Sequence, residues 1–239
     1  MLPEIKILSL PSSIKRRQFM DYKMSQLNIS RYNYIDAING HNLREYLLYE
    51  QFCKKNKIKL LTGEAGAYGC LMSYKKIFNQ QKDSVLILED DVYFHENFHH
   101  TANKLDYHNF DLIYFGYNNY RLSDKQIFAI KNNQPLIPVE SDRKYITCGT
   151  YAVWYSIKAI KLLKTILDNI CNEDIRPIDH IVWYAASQLN SIILNPALCI
   201  SEIRDSNIRP ARDTEMFYRN RGCALENYLH IEEYPLWMR

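Results

Sequence analysis

Residues 85–91 read Val-Leu-Ile-Leu-Glu-Asp-Asp, four apolar side chains followed directly by three carboxylates. A short apolar run of this kind is typical of a central strand in a parallel sheet that is covered on both faces. Ligands of open α/β sheets bind beyond the carboxyl ends of the strands, which is where the three acids fall. The segment therefore predicts a fold class and the edge of the sheet that carries the site.

Predicted helices and strands alternate on both sides of this segment. An apolar strand over residues 5–10 precedes a helix over about residues 14–28 and a second strand over residues 32–38. A polar stretch up to about residue 60 is typical of loop and surface helix. The further predictions are helices over 63–78, from Ser156 to about 170 and from Pro177 to about 189, strands over 111–116, 145–155 and 191–194, and a weaker hairpin over 127–139. This order predicts an α/β fold with a mostly parallel central sheet flanked by helices.

Length and composition indicate one domain over residues 1–239, with an arginine-rich C-terminal segment over 195–239. The chain has 47% hydrophobic residues, enough for a sizeable core. Lys and Arg together number 30 against 27 for Asp and Glu, a balance too even for a dedicated nucleic-acid-binding protein. No apolar run approaches the ~18 residues needed to cross a bilayer, so any membrane contact is expected to be peripheral.

The cysteines and the N-terminal residues favour a cytoplasmic protein. The six cysteines form no C-x-x-C pair, so their spacing predicts neither a zinc site nor a dense disulfide framework. The start, MLPEIKILSL, lacks a basic region followed by a long apolar stretch. We therefore expect reduced thiols.

Glycine is scarce, and its placement is informative. The chain has 7 glycines and neither a G-x-x-x-x-G-K-[ST] loop nor a G-x-G-x-x-G turn, so a phosphorylated ligand must be held in another way. Gly63, Gly66 and Gly69 fall at spacing three in one predicted helix. Each costs about 1 kcal/mol relative to alanine, which indicates a close backbone approach by the sheet or by a bound ligand.

The acid triplet has two interpretations. Adjacent carboxylates raise one another's pKa and destabilise a fold unless a cation or hydrogen-bond donors neutralise them. A hard divalent ion would do so, completing its shell with water and substrate phosphates. The alternative is a solvated acidic turn that caps the next segment.

Several motifs occur in the order seen in one enzyme family. They are Leu8-Ser9-Leu10 with Ser13 and Arg16-Arg17, Tyr34 to Gly40, Gly63-Glu64-Ala65-Gly66 through Ser73, Leu86 to Val92, Cys148-Gly149-Thr150-Tyr151-Ala152, and Pro177-Ile178-Asp179. In these motifs the chain resembles glycosyltransferase family 25, which includes the bacterial lipooligosaccharide galactosyltransferases. The resemblance covers about residues 5–185.

The resemblance implies a GT-A type fold, a UDP-sugar donor and an inverting transfer that depends on Mn²⁺ or Mg²⁺. It makes Glu89-Asp90-Asp91 an Asp-x-Asp-like motif in the donor site, with Glu89 and Asp91 as metal ligands. On the nucleotide side it implies Leu8, Ser9 and Arg16, with Ser73 beside them. For Arg16 and Arg17 the alternative is a solvated basic helix face. The family's Leu-Ser-His run appears here as Met72-Ser73-Tyr74, so no histidine role is assumed there.

Inversion requires a general base on the face opposite the leaving UDP. Asp179 resembles the family's Pro-x-Asp position and is the first candidate, with His180 the alternative. The competing interpretations are an acidic residue placed near a helix N-terminus by the dipole and a satisfied interior histidine.

The C-terminal segment suggests contacts with phosphate or with a membrane. Ser201 to Asn207 resembles a family stretch less clearly, and Asp205 is a candidate to approach the metal. The arginines from Arg204 to Arg221 are candidates to bind the donor diphosphate or a phosphorylated lipid acceptor. With Trp237-Met238-Arg239 they could also rest on an anionic membrane, or be dispersed surface arginines.

The resulting hypothesis is a metal-dependent transfer of a hexose, with galactose favoured, from UDP to a lipid-linked saccharide of lipooligosaccharide or lipopolysaccharide. The expected location is the cytoplasm, with peripheral contact at the cytoplasmic face of the inner membrane. Two alternatives stay open: a sugar nucleotidyltransferase, and a non-catalytic homologue that binds a UDP-sugar or saccharide.

Overall fold

A mixed seven-stranded sheet lies at the centre of the computed structural model, which describes residues 2–55, 64–119, 121–169, 177–201 and 234. The strands are β1 (Ile5–Ser9), β2 (Asn33–Asp36), β3 (Val85–Glu89), β4 (Val92–Phe94), β5 (Leu112–Asn119), β6 (Leu136–Pro138), β7 (Thr147–Tyr155), β8 (Ser191–Leu194) and β9 (Cys199–Ser201). The helices are α1 (Ile14–Gln26), α2 (Leu43–Lys55), α3 (Glu64–Gln80), α4 (Phe98–Lys104), α5 (Asp124–Lys131), α6 (Ile157–Asp168) and α7 (Ile178–Ala186).

The sheet has the strand order β2-β1-β3-β7-β5-β8-β6. Strand β1 pairs in parallel with β2 and β3, and β5 pairs in parallel with β8. Strand β7 is antiparallel to β3 and β5, and β6 is antiparallel to β8. Five of the seven strands therefore share one direction, which confirms the predicted α/β fold with a mostly parallel central sheet. Because Leu8 pairs with Glu89, β1 and β3 end side by side.

Apolar layers cover both faces of the sheet. One face packs against α3, α6 and α7, and the other packs against α1 and α4. In β3, Val85 and Ile87 belong to the first layer, whereas Leu86 and Leu88 belong to the second. All four side chains are fully buried. This burial on both faces explains why residues 85–88 show no polar alternation.

Two sequence predictions are wrong in detail. The region predicted as a hairpin over 127–139 contains helix α5 followed by the short strand β6. A capping box begins α5: the Ser123 side chain accepts from Gln126 N, and the Gln126 side chain accepts from Ser123 N. This box is a local signal that favours a helix. Strand β5 also continues to Asn119, past its predicted end at residue 116, because its pairing with β7 continues to Asn119 and Thr147.

The remaining differences concern short or irregular elements. Strands β4 and β9, which pair with each other, and helix α4 were not predicted. The strand predicted over 145–155 was expected to be interrupted at Gly149-Thr150, but β7 runs without a break through Gly149, whose φ is +91°. Its register with β5 is irregular nearby. The Ser156 cap of α6 is confirmed, since its side chain accepts from Ala159 N. Ser13 precedes α1 but makes no side-chain capping bond.

The described cysteines and helices add two observations. Cys53, Cys70, Cys148 and Cys199 take part in no disulfide within the described part of the chain. Among the described helices, none combines the length and the apolar content that crossing a bilayer requires.

Helix α3 is crossed closely by the segment that follows β2. A Cβ atom at Gly69 would lie 2.5 Å from Gly40 N and 2.5 Å from Ile38 O. The Ser73 hydroxyl reinforces this contact, accepting from Ile38 N at 2.8 Å. The partner of Gly69 is therefore the backbone after β2, neither the sheet nor a ligand. Gly66 lines the cleft described below, and Gly63 lies outside the described residues.

Replacing Gly69 by alanine is expected to destabilise the protein by about 2–4 kcal/mol, because the added methyl meets backbone atoms that cannot rotate away. The free energy of unfolding in urea measures the effect. The matched control is Gln80→Ala, at the exposed end of the same helix, which should change stability little. Equal stability of the two variants would contradict the close approach.

Candidate active site

The acid triplet borders an open cleft at the carboxyl ends of β1 and β3. The cleft is also walled by α3 and the segment after β2. Seven of the predicted site residues line it, namely Leu8, Ser9, Arg16, Ser73, Glu89, Asp90 and Asp91. Sequence positions near 8, 16, 73 and 90 meet here because β1 and β3 are neighbours and both end at this edge.

Asp90 is held in place by β1 and α1. Its Oδ2 accepts from Ser9 Oγ at 2.6 Å, and its Oδ1 accepts from Arg16 Nη1 at 3.0 Å. The carboxylate is buried, so the charged partner offsets part of its loss of water. Both oxygens of Asp90 thus have protein donors, and Arg16 is fixed at the wall of the cleft.

Glu89 receives two hydrogen bonds on one oxygen. Tyr74 Oη on α3 and Thr150 Oγ1 on β7 each lie 3.0 Å from Glu89 Oε1. Loss of water raises the pKa of Glu89, these two donors lower it, and the charges of Asp90 and Asp179 raise it. Sequence reasoning did not predict the roles of Tyr74 and Thr150, although Thr150 belongs to the Cys-Gly-Thr motif and Tyr74 replaces the family's histidine.

Asp91 is the least satisfied of the three acids. Its Oδ1 is buried and has no hydrogen-bond partner among the described residues. Burial raises the pKa of Asp91 to about 8, the charges of Glu89 and Asp90 act in the same direction, and those of Arg16 and Lys23 oppose them. Lys23 is itself buried and donates to Val92 O. An added cation beside Asp91 would therefore stabilise its ionised form.

Ser73 and Arg17 connect backbone segments. The Ser73 hydroxyl donates to Gly69 O at 2.6 Å while it accepts from Ile38 N. Arg17 donates to Ser9 O at 3.0 Å and to Asp36 Oδ1 at 2.6 Å. Arg17 therefore connects β1 to the end of β2. Its side chain is held by these contacts and does not belong to a solvated basic face of α1, which was the alternative interpretation.

Residues 2–167 match the model of glycosyltransferase family 25, described as LPS biosynthesis protein. The chain belongs to glycosyltransferase family 25. Membership makes glycosyl transfer, from a sugar donor to a saccharide acceptor, the reaction class of this protein. A search of curated proteins finds no significant sequence match.

The solved structures that match this family 25 chain are distant from it. One is a glycosyltransferase involved in the glycosylation of the major capsid of PBCV-1, with 13% identity and a TM-score of 0.37, covering 86% of this chain and 95% of that one. Another is the inositol-1-phosphate CTP transferase from T. maritima, with 10% identity and a TM-score of 0.37, covering 81% and 85%.

Asp179 and His180 lie beyond the matched residues, in the first turn of α7. They do not line the cleft, but they are near it, since the charge of Asp179 raises the pKa of both Glu89 and Cys70, a cleft residue. The Asp179 carboxylate, a His180 ring nitrogen and Cys148 Sγ lie within 4.8 Å of one another. Asp205, the arginines from Arg204 to Arg221, and Trp237 to Arg239 lie outside the described residues.

Proposed function

We propose that this family 25 chain is an inverting, metal-dependent enzyme that transfers a hexose from a UDP-sugar to a saccharide of lipooligosaccharide or lipopolysaccharide, with galactose the favoured sugar. The observation that carries the proposal is the cluster of Glu89, Asp90 and Asp91 in an open cleft at the carboxyl edge of the sheet. Three ionised carboxylates in one cleft would repel an anionic donor unless a cation accompanies it, and burial together with the neighbouring charges already raises the pKa of Asp91.

The carboxylates fit a hard divalent ion such as Mn²⁺ or Mg²⁺. Asp91 offers a buried oxygen that has no donor in the part of the chain that the structure describes, whereas both oxygens of Asp90 are occupied. Both described hydrogen bonds to Glu89 fall on Oε1, which leaves Oε2 for a ligand. Asp91 and Glu89 would therefore hold the ion. When bound, it would supply Lewis-acid stabilisation of the departing diphosphate.

The donor would lie along the ends of β1 and β3. Leu8 and Ser9 line this edge, and Arg16, oriented by Asp90, would place positive charge beside the diphosphate. The first-turn N–H groups of α1, the helix that follows β1, would add a further favourable potential for an anion. Asp90, Ser9 and Arg16 would thus act together to position the donor.

The acceptor hydroxyl would lose its proton to Asp179, with His180 as the alternative base. As the glycosidic bond to UDP breaks, the acceptor oxygen attacks the opposite face of the sugar, and its proton passes to the base. A lipid-linked acceptor would bring the enzyme to the cytoplasmic face of the inner membrane as a peripheral protein.

The test is UDP release from a panel of UDP-sugars with Mn²⁺, with and without chelator, and with a lactoside-like acceptor. We expect one donor to be turned over, faster with acceptor, and turnover to stop with chelator. A parallel reaction with nucleoside triphosphate and sugar 1-phosphate tests for pyrophosphate release. Pyrophosphate release in this second reaction, without UDP release in the first, would indicate a nucleotidyltransferase. Donor binding without turnover in either reaction would indicate a non-catalytic homologue. Either result would overturn the proposal.

A further inference from the structure

The cluster of Cys148, Asp179 and His180 brings together side chains that are distant in sequence. Cys148 lies in β7, and the other two lie in the first turn of α7. Cysteine spacing alone predicted no zinc site, because the cluster contains one cysteine and its partners come from another element. The three ligand atoms, a sulfur, a carboxylate oxygen and an imidazole nitrogen, are within 4.8 Å of one another.

The donor set distinguishes this cluster from the acid triplet. A thiolate and an imidazole suit Zn²⁺ and similar borderline ions, whereas Mg²⁺ and Mn²⁺ favour oxygen ligands. Three protein ligands with a fourth position for water or another ligand are typical of open zinc sites. Zinc bonds of about 2.0–2.3 Å in a tetrahedral arrangement put ligand atoms roughly 3.3–3.7 Å apart, so small side-chain rotations would complete the site.

The surroundings of the cluster suit a cation. Strand β7 is paired on both sides, by β3 and β5, and α7 packs against it, so the ligands come from rigid elements. Cys148 is 5% exposed, while Asp179 and His180 are half-buried, which leaves the ion a route from solvent.

We propose that Cys148, Asp179 and His180 form a second metal site, which takes Zn²⁺ or another borderline divalent ion and is separate from the Glu89 and Asp91 site. Metal binding at this site is inferred from the geometry of the cluster and does not depend on the proposed function. Its consequence rests on the proposed function: because Asp179 and His180 are the candidate bases, an ion bound to them would make them unavailable to the acceptor. Zinc is therefore expected to inhibit transfer at a fixed Mn²⁺ concentration.

The binding test uses Co²⁺ as a spectroscopic substitute in the chelator-treated full chain. A thiolate-to-cobalt charge-transfer band should appear at one equivalent and disappear when Zn²⁺ is added. In Cys148→Ser the band should be lost, and zinc affinity, measured against a chromophoric chelator, should fall at least about tenfold. Cys53→Ser is the matched control, because its buried thiol packs in a different cluster with Tyr49 and Tyr68.

Two further sets of variants keep this test interpretable. His180→Gln removes the imidazole while it leaves the cysteine in place, so the charge-transfer band should persist while zinc affinity falls. Cys171→Ser and Cys223→Ser should leave the band unchanged. A band that persists in Cys148→Ser, or zinc affinity unchanged in His180→Gln, would overturn the site. Circular dichroism checks that each variant is folded.

The activity measurement separates this inference from the proposed function. If a UDP-sugar is turned over, the zinc concentration for half-inhibition should rise at least about tenfold in Cys148→Ser and stay unchanged in Cys53→Ser. If no UDP-sugar is turned over, the proposed function fails, and the cobalt spectrum still decides whether the site exists. Strong zinc inhibition that Cys148→Ser leaves unchanged would contradict inhibition through this cluster.

Discussion

Replacing Asp91 by asparagine is expected to abolish metal-dependent donor binding and to stabilise the metal-free protein near pH 8. Binding and transfer should fall because the variant loses the one buried carboxylate oxygen of the cleft that has no donor among the described residues. A Lewis-acid ion is worth several kcal/mol, so transfer should drop about 10³-fold or more. Calorimetric titration of UDP with and without Mn²⁺ and initial rates of transfer measure the loss.

The stability change in the same variant has the opposite sign. Folding raises the pKa of Asp91 to about 8, because burial and the neighbouring carboxylates disfavour its charge. The unfolded chain releases this proton near pH 4, so between about pH 4 and 8 the folded state binds more protons than the unfolded state. Stability of the metal-free protein therefore falls as pH rises through this range. Asparagine has no proton to lose, so the variant avoids this decrease in the free energy of unfolding. Near pH 8 we expect it to be more stable than the parent by at least about 2 kcal/mol, or roughly 4–8 °C in melting temperature.

Thermal unfolding in chelator at pH 5 and at pH 8 tests this prediction. The difference between the two pH values should shrink in Asp91→Asn and persist in Asp83→Asn, an exposed carboxylate just before β3. A melting temperature of Asp91→Asn at pH 8 that equals or falls below that of the parent would contradict the buried, unsatisfied state of Asp91. Unchanged UDP affinity with Mn²⁺ would separately exclude its metal role.

Replacing Asp179 by asparagine is expected to lower transfer by about 10²–10⁴-fold while donor affinity stays unchanged. Asparagine keeps the shape of the side chain but cannot accept the proton of the acceptor hydroxyl. The measurement is the transfer rate at saturating donor together with UDP affinity. Asp168→Asn, at the end of α6 and partly exposed, is the matched control because its carboxylate pairs with Lys75 away from the cleft.

His180, the neighbour of Asp179, is the alternative general base, and the two variants together distinguish the candidates. Near-normal transfer in Asp179→Asn, with a large loss in His180→Gln, would assign the base to His180. Near-normal transfer in both variants would place the base outside α7. A loss of donor affinity in Asp179→Asn would instead indicate that this carboxylate supports Glu89, whose pKa its charge raises.

The elements predicted well are those whose signal is contained in a few neighbouring residues. The run over 85–88 is apolar throughout because both of its faces are buried, and Ser156 begins α6 with a side-chain cap. The capping box of Ser123 and Gln126 is also local, and the hairpin prediction overlooked it. The short strands β4 and β9 could not be predicted in this way, because each depends on the other for its hydrogen bonds.

The α/β class, the acid triplet at a strand end and membership of glycosyltransferase family 25 are patterns of residue type along the chain, so all three can be recognised without coordinates. The different environments of the three acids, in contrast, follow from the tertiary contacts of each side chain. Asp90 is held by Ser9 and Arg16, Glu89 is contacted by Tyr74 and Thr150, and Asp91 keeps an oxygen without a partner among the described residues. Hydrogen bonding and burial depend on segments that are distant in sequence and meet only in the fold. The same reason applies to Cys148, which reaches Asp179 and His180 only because α7 packs against β7.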